Sequence, residues 1–202
     1  MKNIHRPISI LALTLVLLHL MLVIGSWLIT AAMPNLEMRS LLSSVGIRWF
    51  FGNYVNNLLS PLLAWLLLVA MAGGALTESG LGRSLGKWGS WSMQERTAMK
   101  CVLAEIIIFL IVMLLLTVVP HAVLLSVSGG LFPSSFTDSL VPSLSFLVCV
   151  CSMTYGGVCG RQRTLSEQFS LLTAGISRCA PLFVIYILAI ELYKSLHFVF
   201  IW

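Results

Sequence analysis

The residues best suited to hold a polar group lie just before an apolar run, Leu62–Leu76. They are Asn56, Asn57 and Ser60, whose amide and hydroxyl groups both donate and accept hydrogen bonds. Pro61 follows them. A membrane helix that opens with a polar, proline-broken segment needs surrounding protein, because hydrocarbon offers no partner to the freed backbone groups. These three side chains are therefore the candidates for substrate binding, while the sequence leaves the substrate unknown.

Ionisable residues inside apolar segments are a second source of chemistry, because a charge in hydrocarbon is costly and is a candidate for function. Glu191 and Lys194 lie three residues apart, on one face of a helix. Either they form a pair that faces the helix bundle, or both lie at the outer interface. Glu105 is expected in the first turn of its span, where the helix dipole favours a carboxylate. His19 is expected to serve packing.

Patterns typical of enzymes and metalloproteins are absent from the sequence. The four histidines have no metal-ligand spacing, and no phosphate-binding glycine loop occurs. The five cysteines contain no C-x-x-C pair and are interpreted as small packing residues. The one aspartate, Asp138, is expected to cap a helix. We therefore expect no catalytic residue, no metal ion and no cofactor, and we predict that the chain is not an enzyme.

The elements that must position these residues are apolar helices. The chain is 58% hydrophobic and 9% charged, whereas a soluble domain has roughly 25% charged residues. About 20 apolar residues in a helix cross the hydrocarbon core of a bilayer. The sequence predicts an all-α, polytopic membrane helix bundle that forms a single domain over residues 1–202, with spans at about 8–32, 55–76, 101–119, 138–157 and 179–201. The first span is longer than the apolar part of a signal peptide and is expected to be retained.

The distribution of basic residues predicts the orientation. If the N-terminus is cytoplasmic, nine basic residues fall in inside segments and only Arg39 and Arg48 fall outside. Cytoplasmic loops carry such an excess of Lys and Arg, so the sequence predicts a multi-pass protein of the inner (plasma) membrane with N-in/C-out topology. The net charge of +5 follows from this asymmetry. Nucleic acid is not expected as a partner, because the sequence shows no soluble basic face.

The segment from Leu41 to Leu81 carries a family pattern. It contains LLSSVGIRW, then a helix opened by Pro61 and a leucine, then GGALTESGL, which includes Glu78, Ser79 and Gly80. This pattern resembles the p-aminobenzoyl-glutamate transporter (AbgT) family. Members of that family have a leucine-serine run before a G-I-x-W segment, a helix opened by Pro-Leu, and a helix end reading A-E-x-S-G-L.

Two further blocks follow in the family's order. The segment SMQER at 92–96 is similar to the L-T-x-E-E-K/R start of a central helix in the family. Tyr155, Gly156 and Gly160 are similar to its Y-G-x-x-x-G segment. Family members are much longer, and this chain resembles their five scaffold helices without the two re-entrant hairpins of the transport part.

The resemblance implies a membrane protein that transports p-aminobenzoyl-glutamate or a related small aromatic acid. The alternative is a non-transporting membrane scaffold, or a partner subunit of a full-length transporter. Glycines at 73 and 74, and Gly156 with Gly160, would allow close helix contacts. Those contacts form either within one bundle or between two copies, and the resemblance favours a homodimer or a pair with a longer homologous transporter in the lipid bilayer.

Overall fold

The computed structural model describes residues 2–86, 91–118 and 135–200. No strand occurs in these three stretches, which confirms the prediction of an all-α chain. The helices are α1 Lys2–Ala32, α2 Ser44–Leu58, α3 Pro61–Ser79, α4 Leu81–Leu85, α5 Met93–Val118, α6 Ser135–Val158 and α7 Leu165–Phe200.

Five of these helices are long and apolar enough to cross a membrane, which confirms that part of the prediction. The segments concerned are Arg6–Ala32, Pro61–Ser79, Met93–Thr117, Phe136–Val158 and Leu165–Phe200. At about 1.5 Å per residue, each approaches or exceeds the roughly 30 Å of hydrocarbon in a bilayer. The N-in/C-out orientation and the single membrane domain stay predictions.

The second apolar segment is two helices instead of one continuous span from residue 55. Helix α2 ends at Leu58, and α3 begins at Pro61. Proline has no backbone N–H and its ring clashes with the preceding turn, so a helix cannot pass smoothly through it, whereas the first helical position suits it. The polar residues before Pro61 therefore lie at the end of α2 and in the short connection to α3.

The last helix begins at Leu165, well before the predicted start at residue 179. Thr164 and Glu167 form a capping box, in which the Glu167 amide donates to Thr164 Oγ1 (3.3 Å) and the Thr164 amide donates to Glu167 Oε2 (3.1 Å). Ser92 and Glu95 form the same reciprocal pair before α5. Each box satisfies two amide donors at a helix start that would otherwise lack partners, so both helices start earlier than their apolar stretches.

The chain folds as two compact units, which are described separately. We call Met1–Leu63 with Ala180–Trp202 the terminal unit, and Ala64–Cys179 the central unit. The core of the terminal unit contains the buried residues Leu41, Phe198 and Val199. The core of the central unit contains Leu81, Ala98, Val102, Cys151 and Tyr155.

In the terminal unit, the LLSSVG segment connects α1 to α2. The Leu41 amide donates to Ser26 Oγ of α1 (3.2 Å). Ser43 caps α2, and its side chain accepts a hydrogen bond from the Gly46 amide. A Cβ at Gly46 would overlap the carbonyl groups of Ser40 and Leu41, so only glycine permits this close approach.

In the central unit, α3 and α7 cross with their backbones in contact. A Cβ at Gly175 would overlap Ala70 and Gly74, and a Cβ at Gly74 would overlap Gly175. A Cβ at Gly73, in contrast, would meet no described atom within 4 Å. Gly74 therefore packs within the chain, in agreement with the first of the two predicted alternatives. Gly73 faces outward.

Candidate functional site

The end of α2 places a polar side chain against α7 in the terminal unit. Asn57 Nδ2 donates a hydrogen bond of 3.4 Å to Glu191 Oε2. Both residues are buried, with 7% and 5% of their surface exposed. Asn57 occupies the last turn of α2, and its amide contacts a carboxylate that is distant in the sequence.

A second pair lies beside the break itself. The Tyr186 hydroxyl donates to the carbonyl oxygen of Leu58 (3.0 Å), which also accepts a hydrogen bond of 2.9 Å from the Ser60 amide where α2 ends. Tyr186 Oη and Ser60 Oγ lie 2.6 Å apart. Because the tyrosine hydroxyl has a single proton and gives it to Leu58, Ser60 is the donor in this second bond.

Two buried oxygen atoms of α7 in the terminal unit have no hydrogen-bond partner among the described residues. They are Glu191 Oε1 and Ser195 Oγ, four residues apart on α7 and therefore on one helix face. Leaving a buried polar atom without a partner costs about 1–3 kcal/mol. We call Asn57, Ser60, Tyr186, Glu191 and Ser195 the α2–α7 polar site. It can accept hydrogen bonds from a bound donor.

The structure distinguishes between the candidates that the sequence offered. Asn57 and Ser60 belong to the α2–α7 polar site, whereas Asn56 is exposed and lies outside it. Glu191 is buried, and it forms no ion pair with Lys194 among the described residues. Glu191 therefore faces the interior of its unit, but its hydrogen-bond partner is Asn57 and not Lys194.

In the central unit, the family-like residues meet around one arginine. Arg161 Nη1 donates to the carbonyl oxygen of Ser79 (3.0 Å). Arg161 Nη2 lies 3.7 Å from Glu95 Oε1, and the guanidinium carbon lies 6.0 Å from the ring centroid of Tyr155. Each contact comes from a different one of the three sequence blocks. Three blocks that are far apart in the sequence thus all contact the Arg161 side chain.

The glycines of these blocks make room for the same arginine and for its neighbour Gln162. Gly80 has φ of 79°, a left-handed conformation, and a Cβ there would overlap the Arg161 guanidinium. Gly160 is also left-handed, with φ of 69°. A Cβ at Gly156 would overlap Gln162, and the Gly156 carbonyl accepts bonds from the Arg161 and Gln162 amides. The chain therefore reverses tightly after α6 and brings Arg161 to the end of α3.

A second arginine binds the same end of α3. Arg178 forms an ion pair with Glu78, and its Nη1 donates to Thr77 Oγ1 (2.9 Å). Gln162 Nε2 donates to the carbonyl oxygen of Glu78 (3.4 Å). Both Glu78 and Arg178 are exposed, and exposed pairs contribute little to stability. This ion pair therefore orients the chain more than it stabilises it.

Two expectations about carboxylates are wrong. Helix α5 begins at Met93, so Glu105 lies three turns inside the helix, and its Oε1 accepts a hydrogen bond of 2.5 Å from Thr154. Asp138 lies within the first turn of α6, which begins at Ser135, and is not the cap residue. Both helices begin earlier than the apolar segments that located them. His19 packs against the Phe50 ring at 5.7 Å between centroids, as expected.

The sequence did not single out Arg161, Tyr186 and Ser195, which the structure places in these polar clusters. Arg161 was one of the nine basic residues that predicted the orientation. The one local sign of its position is the glycine before it, Gly160, which is left-handed in the structure. Tyr186 and Ser195 lie in an apolar helix with no local pattern. Among the described residues, no group of three metal-ligating side chains is present, and all five cysteines are free.

Comparisons with known proteins give no relative from which a role could be transferred. The chain matches no protein-family model, no curated protein and no solved structure. Its function is therefore proposed from its residues, their family resemblance and its contacts.

Proposed function

We propose that this chain is an AbgT-like protein of the inner membrane, which supplies scaffold helices to the transport of p-aminobenzoyl-glutamate or a related aromatic acid. The supporting observation is the meeting of three family-like blocks on Arg161, through Ser79, Glu95 and Tyr155. A scaffold fold shared with the family would require these three blocks to lie next to one another. The five apolar helices agree with a membrane location.

In this proposal the chain lacks a transport path of its own. Secondary transporters bind substrate near the middle of the membrane, between broken helices in paired repeats. Among the described helices, the α2–α7 polar site adjoins a proline break, and the sequence offers no symmetry mate to it. The chain therefore acts with a second copy or with a longer transporter.

The scaffold role is tested by the assembly that the purified chain forms. The tagged chain is produced alone and together with a full-length p-aminobenzoyl-glutamate transporter, and masses are measured in detergent by light scattering over a range of concentrations. We expect either two copies of this chain or a stoichiometric complex with the transporter. Arg161→Ala should weaken that assembly, whereas Arg83→Ala, which removes an exposed cation of α4, should not. A monomer under all these conditions would contradict the proposal.

The second candidate function is a membrane scaffold with no connection to transport. It is favoured by the use of Gly74 and Gly156 in contacts within the chain, since these glycines then hold the chain's own segments together and need no transporter. The same measurement separates the two functions. A homodimer that ignores the co-produced transporter, and whose loss leaves cellular uptake of p-aminobenzoyl-glutamate unchanged, would favour the second candidate.

A further inference from the structure

The central unit has a large groove that the proposed function does not use. Its volume is about 910 Å³, and it lies between the end of α3, α4, α5 and α6. Most of its wall is aliphatic, with Leu76, Leu81, Leu103, Ile106 and Leu147 among the lining residues. Its described charged lining residues are Arg96 and Lys100. The groove is therefore apolar along its length and cationic at one end.

The two cations are available to a ligand. Arg96 and Lys100 are four residues apart, so both lie on the same face of α5. Both are exposed, and neither forms an ion pair with a described residue. The neighbouring carboxylate, Glu95, already contacts Arg161 and the Ser92 amide. The positive end of the α5 dipole adds to the same field, so this end of the groove attracts anions.

The length of the groove identifies the kind of occupant. Arg96 and Ile106 are ten residues apart on α5, which is about 15 Å along the helix axis. That length is half of the roughly 30 Å hydrocarbon core, or one leaflet. A transmembrane helix from a partner would need contact through both leaflets, whereas an acyl chain with its headgroup occupies one.

The aromatic residue at the cationic end agrees with this placement. The Trp91 indole lines the groove and is held by a hydrogen bond of 3.0 Å from its Nε1 to the Ser84 carbonyl. Trp, Lys and Arg concentrate where hydrocarbon meets the headgroups. Basic pockets between membrane helices bind anionic headgroups.

We propose that this groove is a binding site for an anionic phospholipid. One acyl chain lies along Leu103, Ile106 and Leu147, and the phosphate lies between Arg96 and Lys100. The site is independent of the transport role, because it uses neither the α2–α7 polar site nor the Arg161 contacts.

The binding preference is measured by native mass spectrometry of the delipidated full chain in detergent, titrated with phosphatidylglycerol and with phosphatidylcholine. A basic side chain near an anionic headgroup contributes a factor of about five in binding. The double variant Arg96→Gln/Lys100→Gln should therefore lower the preference for phosphatidylglycerol about 25-fold. The charge-matched control, Arg83→Gln/Arg163→Gln, should keep it. An equal loss in both double variants, or no loss in the first, would overturn the proposal.

The apolar part of the groove has its own test. Leu103 is exposed in the groove, so Leu103→Trp fills space without displacing the core. This change should reduce binding of both lipids by the same factor while the preference for phosphatidylglycerol stays unchanged. A photoreactive benzophenone amino acid at Leu103 should give an adduct with the mass of one phospholipid in membranes. A cross-link to a second copy or to another protein instead would show that a protein occupies the groove, and would overturn the lipid assignment.

Discussion

At the scale of single residues, Arg161 and Asn57 have comparable roles in the two units. Each connects the end of one helix to a residue far away in the sequence. Arg161 donates a hydrogen bond to the Ser79 carbonyl at the end of α3 and lies near Glu95. Asn57 donates to a buried carboxylate on α7. Polar contacts of this kind fix how two helices pack. Apolar faces alone would allow a helix to rotate about its axis or to slide along its neighbour.

Gly80→Ala should lower the free energy of unfolding by about 2 kcal/mol, since a left-handed alanine costs roughly 1–2 kcal/mol and the new Cβ displaces Arg161 from the Ser79 carbonyl. Gly86 is the matched control. Its φ is −80° and its nearest contact would be an ordinary 3.6 Å, so Gly86→Ala should change stability by less than about 0.5 kcal/mol. Chemical unfolding in detergent measures both variants. Equal effects would contradict the assigned role of Arg161.

Asn57→Ala should destabilise the chain by roughly 1–3 kcal/mol, because the buried Glu191 carboxylate loses its hydrogen-bond donor. Asn56→Ala provides the neighbouring control, since Asn56 is exposed and its loss should cost less than about 0.5 kcal/mol. The pair is compared by thermal unfolding in one detergent. If Asn56→Ala were the more damaging change, the placement of α2 against α7 would be wrong.

At the scale of the elements, the residue where a helix begins is determined by its neighbours in the sequence, whereas the contacts between helices are not. The boxes Ser92 with Glu95 and Thr164 with Glu167 are visible in the sequence as a hydroxyl followed three residues later by a glutamate. The apolar stretches alone placed both helix starts too late, which is why Glu105 was expected in a first turn. The break at Pro61 was predictable from the missing N–H.

Which helices meet could not be predicted in the same way. Gly73 and Gly74 have the same side chain and adjacent positions, yet only Gly74 touches another helix. Its partner, Gly175, lies about a hundred residues away, and no local rule connects the two. The partner of Glu191 was missed for the same reason, because Lys194 is near in sequence whereas Asn57 is near only in the fold.

Gly175→Ala should therefore destabilise the central unit by about 1–3 kcal/mol, since the added methyl forces α3 and α7 apart. Gly73→Ala should be neutral or stabilising by up to about 1 kcal/mol, because alanine favours a helix and meets no described atom. Unfolding midpoints of the two variants give the comparison. A loss of dimer mass in Gly73→Ala alone would instead place Gly73 in an interface between copies.

At the scale of the whole molecule, length and composition determine the class. Five helices carry enough apolar surface to span a bilayer, and the basic residues cluster in the segments between alternate helices. This distribution predicts that the N-terminus is cytoplasmic.

Reporter fusions test that orientation directly. A reporter after Gly86 or after Arg163 should be active in the cytoplasm, and one after Leu131, which lies outside the described residues, should be active outside. The physical reason is the excess of Lys and Arg in the two segments that contain Gly86 and Arg163. A cytoplasmic signal at Leu131 would contradict the predicted topology.

The central claim is that this chain supplies scaffold helices and does not transport by itself. The most direct test is uptake of radiolabelled p-aminobenzoyl-glutamate by liposomes that contain only the purified chain, under proton and sodium gradients. We expect uptake equal to that of empty liposomes, because the described helices offer one polar break and no second one to pair with it. Saturable, gradient-dependent uptake that Asn57→Ala abolishes and Asn56→Ala preserves would contradict this account, and it would make the α2–α7 polar site a transport site.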